Sequence, residues 1–137
     1  MPGKTVSEAR SRAKDLSAKA REFLEAADQA LAESRFDAAV LNAVHAGISA
    51  GDAVCVALAG LRSADPDHQR GVDLLGEVAS ASPEVAAKAR QLRQLLQRKD
   101  IVEYESRRAT SAEAREAVKR AQRLVEWAAE QVRAAKL

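Results

Sequence analysis

Histidine, cysteine and aromatic side chains are scarce in this 137-residue chain: 2 His, 1 Cys, and 3% aromatic residues. A metal centre draws on several His, Cys, Asp or Glu side chains at set spacings, and two scattered histidines with one cysteine form no such cluster. Cys55 has no second thiol to pair with. It sits in an apolar stretch and reads as a small core residue, not as a nucleophile. There is no glycine-rich phosphate loop and no Gly-x-Ser-x-Gly elbow. Nucleophilic and metal-assisted enzymes therefore lack their minimum parts, and no metal or cofactor is expected. The N-terminus carries no apolar segment of the kind that directs secretion, so the cytoplasm is the expected compartment. No run reaches the roughly 20 apolar residues of a membrane span. Residues 38–61 come closest, but Asn42, His45 and Asp52 interrupt them, and charged residues at 31% exclude a membrane protein.

What the chain has in abundance is alanine, at 31 positions, within an apolar fraction of 47%. A core of Ala, Leu and Val at helical spacing lets helix axes approach closely. The length suits one domain, residues 1–137, with a single core. The near-neutral net charge of +2 hides an asymmetry: residues 1–87 carry 9 basic and 13 acidic side chains, residues 88–137 carry 13 and 7. An electropositive C-terminal portion suits an anionic partner. The alternative is that it docks on the acidic portion or solvates the helices.

The pattern predicts an all-α fold, an antiparallel up-and-down bundle of four to five helices with no strand. Thr5-x-x-Glu8 reads as a capping box that opens helix 1, with Ala9, Ala13, Leu16, Ala20, Phe23, Ala27 and Leu31 as its buried stripe. Helix 2 spans about 37–61, after a tight break at Ser34 to Asp37 in which either residue can cap it. Leu41, Val44, Ile48, Cys55 and Leu58 face the core. Being apolar nearly all round, helix 2 should be central, with Gly47 and Gly51 allowing close contact with a neighbouring backbone. Asp65-Pro66 starts helix 3, which runs to about 80 with Val72, Leu75 and Val78 or Ala79 inward. Ser82-Pro83 starts helix 4, with Val85, Ala89, Leu92 and Leu96 inward and an end between Lys99 and Tyr104. Thr110-x-x-Glu113 is a second capping box. Helix 5 then carries the cleanest stripe, from Ala114 to Val132, with Trp127 at its margin and assigned to packing at a helix or subunit contact.

Two polar sites remain. On helix 2, His45 and Asp52 share a line with Leu41, Ile48, Cys55 and Ala59. A buried imidazole or carboxylate needs a partner. Seven residues put the two about 10 Å apart along the axis, so they do not bond each other. They either hold a substrate group together or are tied separately to arginines or backbone of other helices. The second site is the joint between helices 4 and 5, residues 98–108. Arg98, Lys99, Arg107 and Arg108 are suited to phosphate, which arginine binds in bidentate fashion, and Tyr104 to stacking on a base or donating its hydroxyl. The other reading pairs these arginines with Asp100, Glu103 and Glu105 and puts Tyr104 into the end of the bundle. His68 reads as solvent-exposed.

These residues give the chain a resemblance to the HEPN superfamily (higher eukaryote and prokaryote nucleotide-binding). It covers about residues 20–133 and rests on three segments in order. They are Val44-His45-Ala46 in an Ala-rich helix 2, Asp65-Pro66-Asp67-His68 before helix 3, and Leu95-Leu96-Gln97-Arg98-Lys99-Asp100 to Glu103-Tyr104. The last is similar to the family's Arg-then-Ala-Glu/Asp-Tyr signature. The resemblance implies a homodimer with the two helix 4 ends meeting at a cleft, and in many members a metal-independent endoribonuclease that uses Arg-x4–6-His. Arg98 matches the arginine, but Glu103, Tyr104 and Glu105 stand where the histidine belongs. An unperturbed Glu or Tyr titrates far from neutrality, unlike imidazole. The chain thus resembles a degenerate member that binds RNA, a nucleotide or another phosphate-bearing ligand without cutting it. Two alternatives stand beside this. One is a weak toxin- or defence-type ribonuclease using Arg98 with Glu103 or Tyr104. The other is a protein-binding adaptor that pairs with a nucleotidyltransferase or antitoxin.

Overall fold

The computed structural model describes residues 3–78 and 82–137, so the expected end of helix 3 near 80 and the inward Ala79 lie outside the described residues. Along the chain run β1 (Thr5–Ser7), one 3-10 turn (Arg10–Arg12), α1 (Ala13–Ala32), α2 (Phe36–Ala59), β2 (Leu61–Ser63), α3 (Gln69–Val78), α4 (Pro83–Glu103) and α5 (Ser111–Ala134). The helical bundle is as expected. The N-terminus is not. Thr5 opens no helix: β1 pairs antiparallel with β2, Val6 opposite Arg62. The reason lies at the end of α2. Gly60 takes a left-handed conformation there (φ 65°), which glycine adopts without a Cβ penalty, and turns the chain into β2. Its carbonyl accepts from the Glu8 N–H at 2.9 Å, and Arg10 Nε donates to the Ala57 carbonyl at 2.8 Å. Residues 8–12 thus satisfy the α2 C-terminus instead of extending α1, and Ala9 is exposed.

α2 is the axle of the bundle and packs against α1, α3, α4 and α5. From Ala39 to Ala57 it buries alanines, valines and both glycines, including fully enclosed Val40, Val44, Val54 and Val56. By length and composition alone it meets the criteria for a membrane span, which the interruptions at Asn42, His45 and Asp52 had appeared to rule out. Within the molecule 72% of its apolar window is covered by the other helices, as in the core helix of a bundle. Leu58, assigned to the core by spacing, is 42% exposed, while Val56 and Ala57 beside it are fully buried. A Cβ on Gly47 would stand 2.7 Å from Leu95 Cδ2 and 3.1 Å from Leu92 Cδ1; one on Gly51 would stand 3.1 Å from Leu92 Cδ2. The glycines therefore receive leucine side chains of α4, not a neighbouring backbone.

The starts of the later helices obey their caps to different degrees. Asp65-Pro66 does not begin α3. Asp65 Oδ1 accepts from the Asp67 N–H at 2.9 Å in a local turn, and Asp67 Oδ1 accepts from the Gln69 N–H at 3.0 Å. The helix begins three residues later than the proline signal suggested, because two successive aspartates each offer the backbone a turn. α4 does start on Pro83. α5 has a complete capping box: Thr110 Oγ1 accepts from the Glu113 N–H at 3.1 Å, and Glu113 Oε1 from the Thr110 N–H at 2.9 Å. Ala114 to Val132 form the buried stripe of α5, and Trp127 lies inside the core at 4% exposure, not at its margin.

Candidate functional site

The joint is shorter than the sequence implied, because residues 98–103 are the last turns of α4 and only 104–110 connect to α5. It is also tethered. Asp37, at the start of α2, accepts from the Ala109 N–H at 2.8 Å through Oδ1, and its Oδ2 lies 3.5 Å from Arg108 Nε. Asp37 was one of the two residues able to cap α2; it fixes the joint to the bundle instead, and α2 has no side-chain cap. Arg107 makes two bonds of 2.8 Å to Glu113, one to each carboxylate oxygen, and a third to Glu105 at 3.1 Å. The Arg107 hydrogen bond, added to the cap, pulls the Glu113 pKa down to about 2. Tyr104 does not plug the end of the bundle. It ends α4 at 78% exposure, with its ring available to a ligand.

Helical geometry separates Arg98 from Lys99 by about 100° around α4. Arg98 turns toward α5, where its Nη2 lies 3.0 Å from Glu116 Oε1. Arg120 Nη2 reaches the same oxygen at 3.0 Å, and Arg120 also bonds Gln94 of α4. Two guanidinium groups from two helices thus converge on one carboxylate oxygen, and Arg98 holds the Glu116 pKa below its usual range. The pairs are exposed enough that each is worth only about 0–1 kcal/mol, so an anionic group of a ligand can replace the carboxylate. Beside them on α5, Arg115, Lys119 and Arg123 form an exposed stripe with no acidic partner among the described residues.

Lys99 turns the other way, 3.5 Å from Glu103. It lines a groove of about 270 Å³ with His68, Tyr104, Asp67 and Asp100. His68 is exposed, as read from the sequence, but it also borders a second cleft beside α2, and its imidazole pKa is lowered by partial burial and by Lys99. Sequence spacing gave no signal of this, since His68 and Lys99 meet only through the α3–α4 packing. The groove carries two carboxylates against one lysine, a poor balance for phosphate.

The structure does not bring the helix 2 pair into the joint. His45 lies against Phe23 of α1, ring centroids 5.4 Å apart. Asp52 sits at the wall between two clefts on the β2 side of α2. Burial raises its pKa from 3.8 to about 6, against the opposing charges of Arg62 and Lys19. The Cys55 thiol is pushed up to about 12 by burial and by Asp52, which keeps it protonated and unreactive at neutral pH. Among the described residues no group of three or more His, Cys, Asp or Glu is placed to hold a metal ion.

No curated protein and no solved structure matches the chain. The HEPN domain model does, over residues 13–132, from the first residue of α1 to the last turns of α5. That span takes in all five α-helices, the arginine on α4 and the connection that follows it, and by this match the chain belongs to the HEPN domain family.

Proposed function

We propose that this HEPN domain binds RNA, or another phosphate-bearing ligand, on the face shared by α4 and α5, and does so as a homodimer without cutting. One observation carries the reading: Arg98 and Arg120 converge on a single carboxylate oxygen of Glu116, both at 3.0 Å. That oxygen marks where a phosphate oxygen fits between two guanidinium groups. The unpaired stripe of Arg115, Lys119 and Arg123 extends the positive surface along α5. HEPN domains are often RNA-binding or nuclease-related, which supports the ligand class, and often dimerise, which supports the assembly.

The absence of cutting rests on the geometry around Arg98. Cleavage needs a proton acceptor that titrates near neutrality within hydrogen-bond reach of the attacking hydroxyl. Neither imidazole bonds Arg98 or Glu116: His45 lies against Phe23, and His68 lines the groove of Lys99 on the other side of α4. Glu116 beside Arg98 is held ionised, with its pKa lowered, which makes it a weak base.

A labelled single-stranded RNA, incubated without divalent metal at two salt concentrations, tests the proposal. Retention that weakens with salt, without product, and that falls at least about tenfold in Arg98→Ala and Arg120→Ala, is the expected result. Metal-independent cleavage abolished by Arg98→Ala would establish the nuclease instead. Neither retention nor cleavage would leave a protein-binding adaptor.

A further inference from the structure

The cleft beside Asp52 is separate from the α4–α5 face and has its own chemistry. It measures about 290 Å³ and is walled by α2 (Ile48, Gly51, Asp52), the segment 62–65, His68 and Gly71, and Leu92 and Leu96 of α4. That volume is at the lower edge of small-molecule sites, enough for a ligand of about ten heavy atoms. Leu92, Leu96 and Ile48 give it an apolar floor.

Its polar groups are mostly spoken for. Arg62 Nε donates to Glu8 Oε1 at 3.0 Å, and its Nη1 to the Ser63 carbonyl at 3.4 Å. Asp65 accepts from the Asp67 N–H at 2.9 Å and the Lys4 N–H at 3.4 Å. Ser63 Oγ accepts from the Asp65 N–H at 3.3 Å. Asp52 differs. Among the described residues no donor lies within hydrogen-bond distance of its half-buried carboxylate. A half-buried carboxylate without a protein donor has lost part of its hydration with nothing in return, and a cation from outside would relieve it. With Arg62 held by Glu8, the charge the cleft presents to a ligand is negative.

We propose that this cleft binds a small organic monocation, a primary amine on an apolar body, with the ammonium group on Asp52 and the body over Leu92 and Leu96. The match is one of shape and charge: a single unpartnered carboxylate at one end, leucines at the other, and room for one ring or a branched chain between them.

Phenethylamine, with phenethyl alcohol as its uncharged counterpart, is a direct probe. In amide NMR titrations of the full chain at pH 7, the amine should shift Gly51, Ser63, Ala64 and Gly71 saturably, with a Kd on the order of 1 mM for so small a ligand. The alcohol should bind at least about tenfold more weakly. Asp52→Asn should lose the preference for the amine while keeping its fold, checked by its thermal melt. Asp15→Asn, in the neighbouring cleft with Lys19 and Arg12, should leave the affinity unchanged. Equal binding of amine and alcohol, an Asp52→Asn variant that still prefers the amine, or no shift of these amides at about 20 mM amine would each overturn the proposal. None of these outcomes bears on RNA retention by the α4–α5 face.

Discussion

At the residue scale, Asp52 ties the stability of this bundle to pH. Burial lifts its pKa from 3.8 to about 6, only partly opposed by Arg62 and Lys19. Other ionisable groups around it are Asp65 and His68 across one cleft, Glu8, Arg12 and Asp15 along the other, and Cys55 on its own helix, whose thiol stays protonated. An acid whose folded pKa exceeds its unfolded one binds more protons when native. This contribution to stability is therefore full only below pH 3.8, falls as pH rises through the window between 3.8 and about 6, and stays lower above it. Two pKa units correspond to about 3 kcal/mol, an upper figure for this group. Asp52→Asn should accordingly stabilise the protein by about 1–3 kcal/mol at pH 7 and by nothing measurable at about pH 3, below both pKa values. Urea unfolding at the two pH values checks this, and an equal gain at both would mean that the charge is not the cause. Ser34 offers a second residue-scale test. It turns the chain between α1 and α2 at φ 59°, where a side chain is strained. Ser34→Gly should raise stability by about 1 kcal/mol in the same assay.

At the scale of elements, legibility followed how local the determining interaction is. The α5 capping box was readable because its two hydrogen bonds join Thr110 and Glu113, three residues apart. Thr5-x-x-Glu8 has the same spelling and makes a strand, because Glu8 is taken by Arg62 and by the Gly60 carbonyl, more than fifty residues away. The start of α3 was missed by three residues for a different reason: Asp65 and Asp67 compete with the helix for the same amides. The candidate site divides the same way. Arg98, Lys99 and Tyr104 were found from their run along α4. The partners Glu116, Arg120 and Asp37 come from other helices, and no spacing announces them. Gly47 and Gly51 give this lesson a test. Replacing either with Ala adds about 1 kcal/mol of helix propensity. At Gly47 the new methyl meets fully buried Leu95 at 2.7 Å and Leu92 at 3.1 Å, whereas at Gly51 it meets Leu92 alone at 3.1 Å. Gly47→Ala should therefore destabilise by about 1–2 kcal/mol, while Gly51→Ala should lie within about 0.5 kcal/mol of the parent or above it. Thermal melts that ranked the two in the reverse order would show that α4 yields over Gly47.

For the whole molecule, the question is whether the positive C-terminal portion is spent internally or offered outward. Much of it is spent: Arg93 bonds Gln69 and Asp73 on α3, Arg107 holds Glu113, and Arg108 lies near Asp37. Among the cations left without an acidic partner in the described residues, Arg115, Lys119 and Arg123 lie on one exposed line of α5, two successive steps of four residues covering about 12 Å, while Lys88, Arg90, Arg133 and Lys136 are scattered elsewhere. Solvation of a helix needs no such alignment, and mixed charge would serve as well. A backbone of phosphates, in contrast, is met by like charges in a row, each releasing a counterion. The triple variant Arg115→Gln, Lys119→Gln and Arg123→Gln keeps the helix formers and removes the charges. If RNA runs along this face, the slope of log affinity against log salt should become shallower by about 2 for a single strand, since each phosphate contact contributes about 0.7. Stability should change by less than about 0.5 kcal/mol, because none of the three side chains packs against the core. Arg98→Ala alone should take less than about 1 from that slope while weakening binding at every salt concentration, since its contact with a phosphate depends on geometry shared with Arg120. An unchanged slope in the triple variant, with Arg98→Ala still abolishing retention, would confine the ligand to the Arg98–Arg120 fork and reduce it from a strand to a single phosphate group.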